Sequence, residues 1–279
     1  MTDAYSALKI SLTSGVAHVV IDNPPINLLD AALMTDLDRF ADAMSGDDDI
    51  RVIVFDSADP DFFVAHGDLT FADDPATFSQ LPIAPEADQS LNPMMRLHER
   101  VRSLPQITIA KLRGLARGGG AELLSAMDMR FASLEHAGLA QMETSIAIIP
   151  GAGGAAYLPG LVGRARSLEI ILGAQLIDAP TAERYGWVNR AVPDAELDHV
   201  VDTLAARIAA LQPGVARAAV EAVDAALEST AHGLEKGNKL LGQLLGKPAA
   251  GRLTKAALAA GAHTRDGERH LEAILDKLA

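Results

Sequence analysis

The chain has 279 residues, with 24 Lys plus Arg against 37 Asp plus Glu, a formal net charge of −13 at pH 7, and no cysteine. That length buries a core without staples, as one large domain or two of ordinary size. The missing cysteines exclude disulfides, thiolate metal sites and thiol nucleophiles, and the acidic balance argues against nucleic acid and anionic lipid, since no Lys/Arg cluster is dense enough to reverse it.

The start carries Asp3 and alternating polar residues in place of a basic segment and an apolar run, and no stretch reaches the roughly 18–20 apolar residues of a spanning helix. A cytoplasmic protein is expected, with no membrane and no nucleic-acid partner. Residues 8–12 and 16–22 alternate around Ser14-Gly15 and read as a hairpin. Asn23-Pro24-Pro25 ends the second strand, because proline offers a ladder no N–H. Leu29, Leu33, Leu37, Phe40, Ala41 and Met44 recur at helical spacing, with Gly46 as the stop. Residues 51–57 are apolar and β-branched, as in a buried parallel strand.

Residues 70–90 hold turn-formers without a sustained period and read as a mobile loop of the kind that covers sites. A helix is expected at 93–103, and a strand at 107–112 runs into a glycine cluster followed by a helix. Strands at 129–133 and 145–149, a helix at 164–172, a short helix and a strand within 187–192 complete an α/β core. Beyond about Leu197 strand signals stop. Ala/Leu-rich segments 196–211, 214–228, 233–246 and 266–278 read as helices, with breaks at Pro213-Gly214 and Pro248. The expected division is a core over 1–197 and a helical region over 198–279, whose apolar faces pack on the chain's own core or on a neighbouring subunit.

The chemistry concentrates in 110–154. A strand, the run Gly118-Gly119-Gly120 and then a helix bring backbone N–H groups without internal partners to one place, suited to an anion or a developing oxyanion. Glu122 falls in that first turn. Glu143 is a second acid, close in sequence to the turn Pro150-Gly151-Ala152-Gly153-Gly154. Singly, each has a plainer reading: a Glu complementing a helix dipole, a solvated Glu, a strand-to-helix connection. Other glycine-rich explanations fail. Ala121-Glu122 follows Gly120 where a Walker loop needs Lys-Ser/Thr, and Ala156 stands where a dinucleotide fingerprint needs its last glycine. No Gly-x-Ser-x-Gly elbow occurs, and no histidine pair sits at i, i+4, so no metal is expected.

These residues, in this order, resemble the crotonase superfamily, the enoyl-CoA hydratase/isomerase family. The likeness runs over about residues 8–197 through Asp22-Asn23-Pro24-Pro25-Ile26-Asn27, Arg51-Val52-Ile53-Val54, Ala65-His66-Gly67-Asp68-Leu69, Gly118-Gly119-Gly120-Ala121-Glu122-Leu123, Ile149-Pro150-Gly151-Ala152-Gly153-Gly154 and Gly186-Trp187-Val188-Asn189-Arg190-Ala191-Val192-Pro193. The resemblance implies an α/β fold built as a crotonase-like spiral of ββα units, with a C-terminal helical oligomerisation region that makes a homotrimer or a dimer of trimers. It implies an acyl-CoA substrate and no cofactor beyond the coenzyme A of that substrate.

By motif position it implies an oxyanion hole from the N–H groups of Gly67 and Gly119, an acid/base pair in Glu122 and Glu143, and substrate contacts at Ala65, His66, Asp68, Leu69, Gly118, Pro150 and Gly151. Retention of both acids favours water addition to a 2-enoyl-CoA. An isomerase, other acyl-CoA lyase or hydrolase chemistry, and a non-catalytic acyl-CoA binder are the alternatives. The chain departs from the family at His66, where glycine is common, which reads as an exposed loop histidine or as a wall of the acyl channel. Lys111 and Arg113 read as ion-paired with the acidic surface, or as contacts for CoA phosphates.

Overall fold

The computed structural model describes residues 5–73, 75–228, 243, 247–261 and 277–278. Alternating apolar residues build a six-stranded sheet in the order β1 (Leu8–Thr13), β2 (Val16–Ile21), β3 (Val52–Ser57), β5 (Ile107–Leu112), β7 (Met129–Ser133), β10 (Arg190–Val192). The hairpin β1–β2 is antiparallel, pairing Leu8 with Ile21, and every later neighbour is parallel. All six residues of β5 are buried, as a parallel strand covered on both faces requires.

A second sheet has the order β4 (Phe62–Val64), β6 (Leu115–Arg117), β8 (Gly138–Ala140), β9 (Ile177–Asp178). Sequence reading misses it, because strands of two or three residues carry no period to detect. Its logic is repetitive: β3 is followed by β4, β5 by β6 and β7 by β8, each pair giving one strand to each sheet before a helix returns the chain. This is the ββα spiral implied by the resemblance. The corner between β5 and β6 depends on Gly114, with φ +68 and a would-be Cβ only 2.4 Å from the Asp61 carbonyl carbon. No other residue fits there.

Helix α1 (Ala31–Ser45) starts where the Asp30 carboxylate accepts the Leu33 N–H at 2.9 Å. It buries Leu33, Met34, Leu37 and Phe40 in the main core, where Phe40 meets Phe55 edge-on with centroids 6.2 Å apart. Trp187 is fully buried and donates its indole N–H to Ser125 Oγ at 2.9 Å. Asn27, in a left-handed conformation, spends its side-chain amide on Ile21 O, Ser57 Oγ and the Phe62 and Phe63 carbonyls, tying β2, β3 and β4 at one corner.

Residues 70–90, expected as a loop, hold two short helices, α2 (Thr70–Asp73) and α3 (Pro75–Ser79), followed by a strap of turns. The strap is anchored. Buried Arg96 donates to the carbonyls of Ile83 (2.9 Å), Leu91 (2.8 Å) and Leu81 (3.3 Å), and Ala84 N–H donates to Asp38 at 3.1 Å. Residues 145–149, expected as a strand, instead continue a 3-10 turn (Glu143–Ile146) into exposed coil. Ala147 at φ +63 and the Ile148 N–H bonded back to Glu143 O close the chain on itself, so the β-branched residues find no ladder.

Helices α4 (Pro93–Arg102), α5 (Gly119–Ser125), α6 (Gly154–Val162), α7 (Arg164–Gly173) and α8 (Ala179–Tyr185) follow the spiral, and α9 (Asp194–Ala209) packs on β3, β5 and β7. Lys111 and Arg113 are ion-paired at that contact. Lys111 reaches Asp56 (2.5 Å) and Asp198 (2.7 Å), and Arg113 reaches Asp194 and Asp198 at 3.0 Å each.

The chain divides into two compact units, 1–209 and 210–279. Within the second, α10 (Val215–Glu228) and α11 (Pro248–Ala259) are described. Pro248, read as a break, opens α11 at the position where a missing N–H costs a helix nothing. The helices expected at 233–246 and 266–278 lie outside the described residues, apart from 243, 277 and 278. Among the described residues no helix is long and apolar enough to cross a membrane.

Candidate active site

Two loops, one after β4 and one after β6, meet at Gly67 and Gly119. A Cβ on Gly119 would stand 3.3 Å from both Gly67 Cα and Gly67 N. The Gly119 N–H is at the first position of α5, where no intrahelical acceptor exists. The Gly67 loop is pinned by Leu29, whose N–H donates to His66 O (3.0 Å) and whose carbonyl accepts from Asp68 N–H (3.1 Å). That pairing leaves the Gly67 N–H outside it. Gly120 lets α5 begin directly on β4, since a Cβ there would lie 2.3 Å from Val64 O. Gly118 holds φ +46, and its would-be Cβ falls 2.9 Å from Glu143 Oε1 and 3.9 Å from His66 Cβ. A side chain at 118 would therefore occupy the space of the acid.

Glu122 is 2% exposed in the first turn of α5. Its Oε1 accepts two backbone N–H bonds, from Ala152 at 2.8 Å and Gly154 at 2.7 Å. Burial dominates its titration, pushing the pKa up to about 7; the two amides pull the other way, and the Glu143 charge adds to the rise. Glu143 opens the 3-10 turn, is also buried, and burial raises its pKa as well. Two acids in electrostatic contact, with the pKa of one pushed up to about 7, have the chemistry to give and take protons near neutral pH.

Gln141 completes the group. It is fully buried, and with its amide nitrogen facing Glu143 it donates to Oε1 at 3.1 Å and Oε2 at 3.0 Å. The other end of the amide and the Glu122 side chain both come within 3.0 Å of where a Cβ on Gly154 would stand. Sequence reading passed over Gln141, although its place two residues before Glu143, just after a short buried strand, was the available signal.

Helix α4 holds the glycine turn that cradles Glu122. Asn92, its N-cap, donates to Gly151 O at 2.6 Å while accepting from Met95 N–H at 3.0 Å. His98 Nδ1 bonds Ala152 O at 2.8 Å, and the Tyr157 hydroxyl donates to Glu99 at 2.6 Å. Gly153, at φ +113, leaves room for the Tyr157 ring, which a Cβ would meet at 2.4 Å. The Tyr157 hydroxyl is held protonated by burial and by Glu99.

The residues named from sequence separate into groups. Glu122, Glu143, Gly67, Gly119, Gly118 and His66 converge. His66 is half-buried, with Nδ1 2.8 Å from its neighbour's carbonyl at Gly67. Ala65 is buried behind the Gly67 loop, and Gly151 and Pro150 form the turn above Glu122. Asp68 serves its own loop by accepting from Thr70 N–H (2.9 Å) and Oγ1 (2.8 Å), and Leu69 is 50% exposed. Among the described residues no group of three or more His, Asp and Glu could hold a metal ion.

Comparison with known proteins agrees with this geometry. The family model described as enoyl-CoA hydratase/isomerase matches residues 11–252. The chain is 31% identical over 244 residues to a "Probable enoyl-CoA hydratase" of Rhizobium meliloti, covering 86% of this chain and 90% of that one. It is 33% identical over 225 residues to "Probable enoyl-CoA hydratase 2, mitochondrial" of Arabidopsis thaliana, covering 80% of this chain and 72% of that one. Among solved structures, a "putative enoyl-CoA hydratase" of Streptomyces avermitilis superposes with a TM-score of 0.75 at 44% identity, over 99% of each chain. An enoyl-CoA hydratase of Bacillus anthracis gives 0.79 at 28% identity, over 90% of this chain and 95% of that one. With its ββα spiral, its paired glycine loops and both acids in place, the chain belongs to the enoyl-CoA hydratase/isomerase family.

Proposed function

We propose that the protein adds water reversibly across the Cα=Cβ bond of a 2-enoyl-CoA thioester. The observation that carries this reading is the electrostatically coupled pair Glu122 and Glu143, buried beside the apposed amides of Gly67 and Gly119. In this reading the thioester oxygen lies on the two N–H groups. As water oxygen bonds to Cβ, one carboxylate takes the water proton, the π electrons move toward the thioester carbonyl, and the resulting enolate is stabilised where its charge develops. The other acid delivers a proton to Cα, so one H and one OH are added and the pair ends with the protons it began with.

In this reading His66 and Gly118 border the Glu143 side of the substrate, and Ala65, Asp68, Leu69, Pro150 and Gly151 belong to the loops that flank it. The reading needs no cofactor and no metal. It includes a cytoplasmic homotrimer or dimer of trimers, supported by family likeness and by the exposed Val223 and Leu227 on α10.

The test is loss of the conjugated-thioester ultraviolet absorbance of crotonyl-CoA and longer enoyl-CoAs. Turnover that stops on replacing either acid supports hydration. Movement of the double bond without water uptake makes the protein an isomerase, and tight acyl-CoA binding without turnover at any chain length makes it a binder.

A further inference from the structure

The least expected polar group near the site is His98. It is fully buried on α4; its Nδ1 bonds the Ala152 carbonyl at 2.8 Å, and its Nε2 has no hydrogen-bond partner among the described residues. A buried polar atom without a partner is destabilising, and a leucine or phenylalanine in the same volume would avoid it. The one bond that His98 makes must therefore account for its presence. With Nε2 unprotonated, Nδ1 carries the proton and donates to Ala152 O. Burial keeps the ring neutral, its pKa lowered to about 4.

The same Ala152 residue donates its N–H to Glu122 Oε1 at 2.8 Å. Asn92 holds the preceding carbonyl, Gly151 O, at 2.6 Å, so α4 fixes two successive residues of the turn that cups the acid. We propose that His98 is a positioning residue for the reaction, holding Ala152 from behind so that its N–H stays aimed at the Glu122 carboxylate. The inference rests on the hydratase reading, and it states what that reading leaves open: how the acid on α5 is kept in register with the glycine loops.

The groups that face Glu122 are Glu143 from the 3-10 turn, Tyr157 from α6, with its hydroxyl on Glu99, and the neutral His98 behind the turn. The Ala152 and Gly154 amides favour the Glu122 anion. Loosening Ala152 therefore shifts Glu122 further toward its protonated form.

Asparagine and glutamine separate a positioning role from a packing role. In His98→Asn the side-chain amide nitrogen can take the place of Nδ1; in His98→Gln it reaches toward the place of Nε2. The titration of Glu122 is read in the free protein by carboxyl 13C NMR, with Glu122→Gln giving the assignment, and kcat and KM are read with crotonyl-CoA. Expected are a near wild-type Glu122 titration and kcat in His98→Asn. In His98→Gln and His98→Leu the titration moves upward and kcat falls about tenfold, the scale of one lost hydrogen bond, with KM little changed.

The proposal is overturned if His98→Gln or His98→Leu leaves the Glu122 titration and kcat as in wild type. It is equally overturned if Asn and Gln behave alike. Should His98→Leu fail to fold, the Asn and Gln pair decides alone. If wild-type protein hydrates no enoyl-CoA, the hydratase reading falls while the Glu122 titration still tests His98.

Discussion

The two acids come from opposite kinds of structure. Glu122 sits in a regular helix whose start is forced against β4, and its carboxylate is gripped by two backbone amides from a turn that α4 in turn holds. Glu143 sits in a short 3-10 turn whose last residue, Ile146, and the following Ile148 and Ile149 are 45%, 50% and 68% exposed, and beside the backbone amides of Met142 and Glu143 its carboxylate has a side-chain donor, the Gln141 amide. Both acids meet main-chain amides, but Glu143 is also held by Gln141, a side chain that mutation can remove. In the proposed hydration the two acids would be the two ends of one proton-transfer path, and each can be perturbed separately.

The severest way to break the comparison is to neutralise each acid. Glu122→Gln and Glu143→Gln keep the shape and lose the charge, and each is expected to cut crotonyl-CoA hydration by about 10³-fold or more, the scale of a lost general acid or base with its partner. Full activity in either variant would remove that residue from the pair. A smaller loss is expected at the oxyanion loops. Gly119→Ala keeps its N–H but places a methyl group 3.3 Å from Gly67 N and Cα, so the Gly67 loop must yield by a few tenths of an ångström. Misplacing one donor by this much is expected to lower kcat about 10- to 100-fold without unfolding the protein, checked by kinetics alongside a thermal melt.

Much of this was legible in the sequence, for identifiable reasons. The glycine run and both acids stood out because the residue types themselves carry the chemistry, only glycine tolerating φ +46 with ψ −125 at Gly118 or letting α5 begin against Val64 O, whereas the Gly67 loop was named through the family likeness. The long strands and α1 were legible from their periods. The second sheet was not, because its strands are too short to have one. The β-branched residues at 145–149 misled because strand propensity needs a partner edge that this turn never reaches. His98 and Arg96 were invisible as a turn clamp and a strap anchor, since nothing in a helical pattern says which carbonyls, 54 and 13 residues away, the side chains will find.

Stability tests the main-chain side of the comparison. The Glu122 pKa is about 7 in the folded protein against an ordinary 4.5, so between those values the native state binds more protons than the unfolded one. The Glu122 contribution to wild-type stability therefore falls as pH rises from 4.5 to 7, and the ceiling on that loss is about 3 kcal/mol. Glu122→Gln cannot ionise, yet its carbonyl still accepts from Ala152 and Gly154. The variant is expected to be more stable than wild type at pH 8 and to converge on it below pH 5. Melting curves across that range decide the matter, and parallel curves would mean that Glu122 stays ionised throughout.

The mildest change tests the side-chain clamp. Gln141→Leu fills nearly the same buried volume but withdraws the amide that donates to both Glu143 oxygens, at 3.1 and 3.0 Å. That amide favours the charged form, so without it only the Met142 and Glu143 backbone amides oppose burial, and the Glu143 pKa moves further up. A pair that must hold one proton and one charge then gains its second proton at higher pH. The acid limb of kcat/KM is expected to shift alkaline by about half to one unit, as the loss of one hydrogen bond to a charged group implies, with a loss of about three- to tenfold below pH 6 and little loss at pH 8. Glu122 keeps both of its amides in this variant, so its carboxyl titration should move far less than that of Glu143. A larger shift at Glu122 would show that Gln141 serves the main-chain-held acid instead, and that the two acids are not separately mounted.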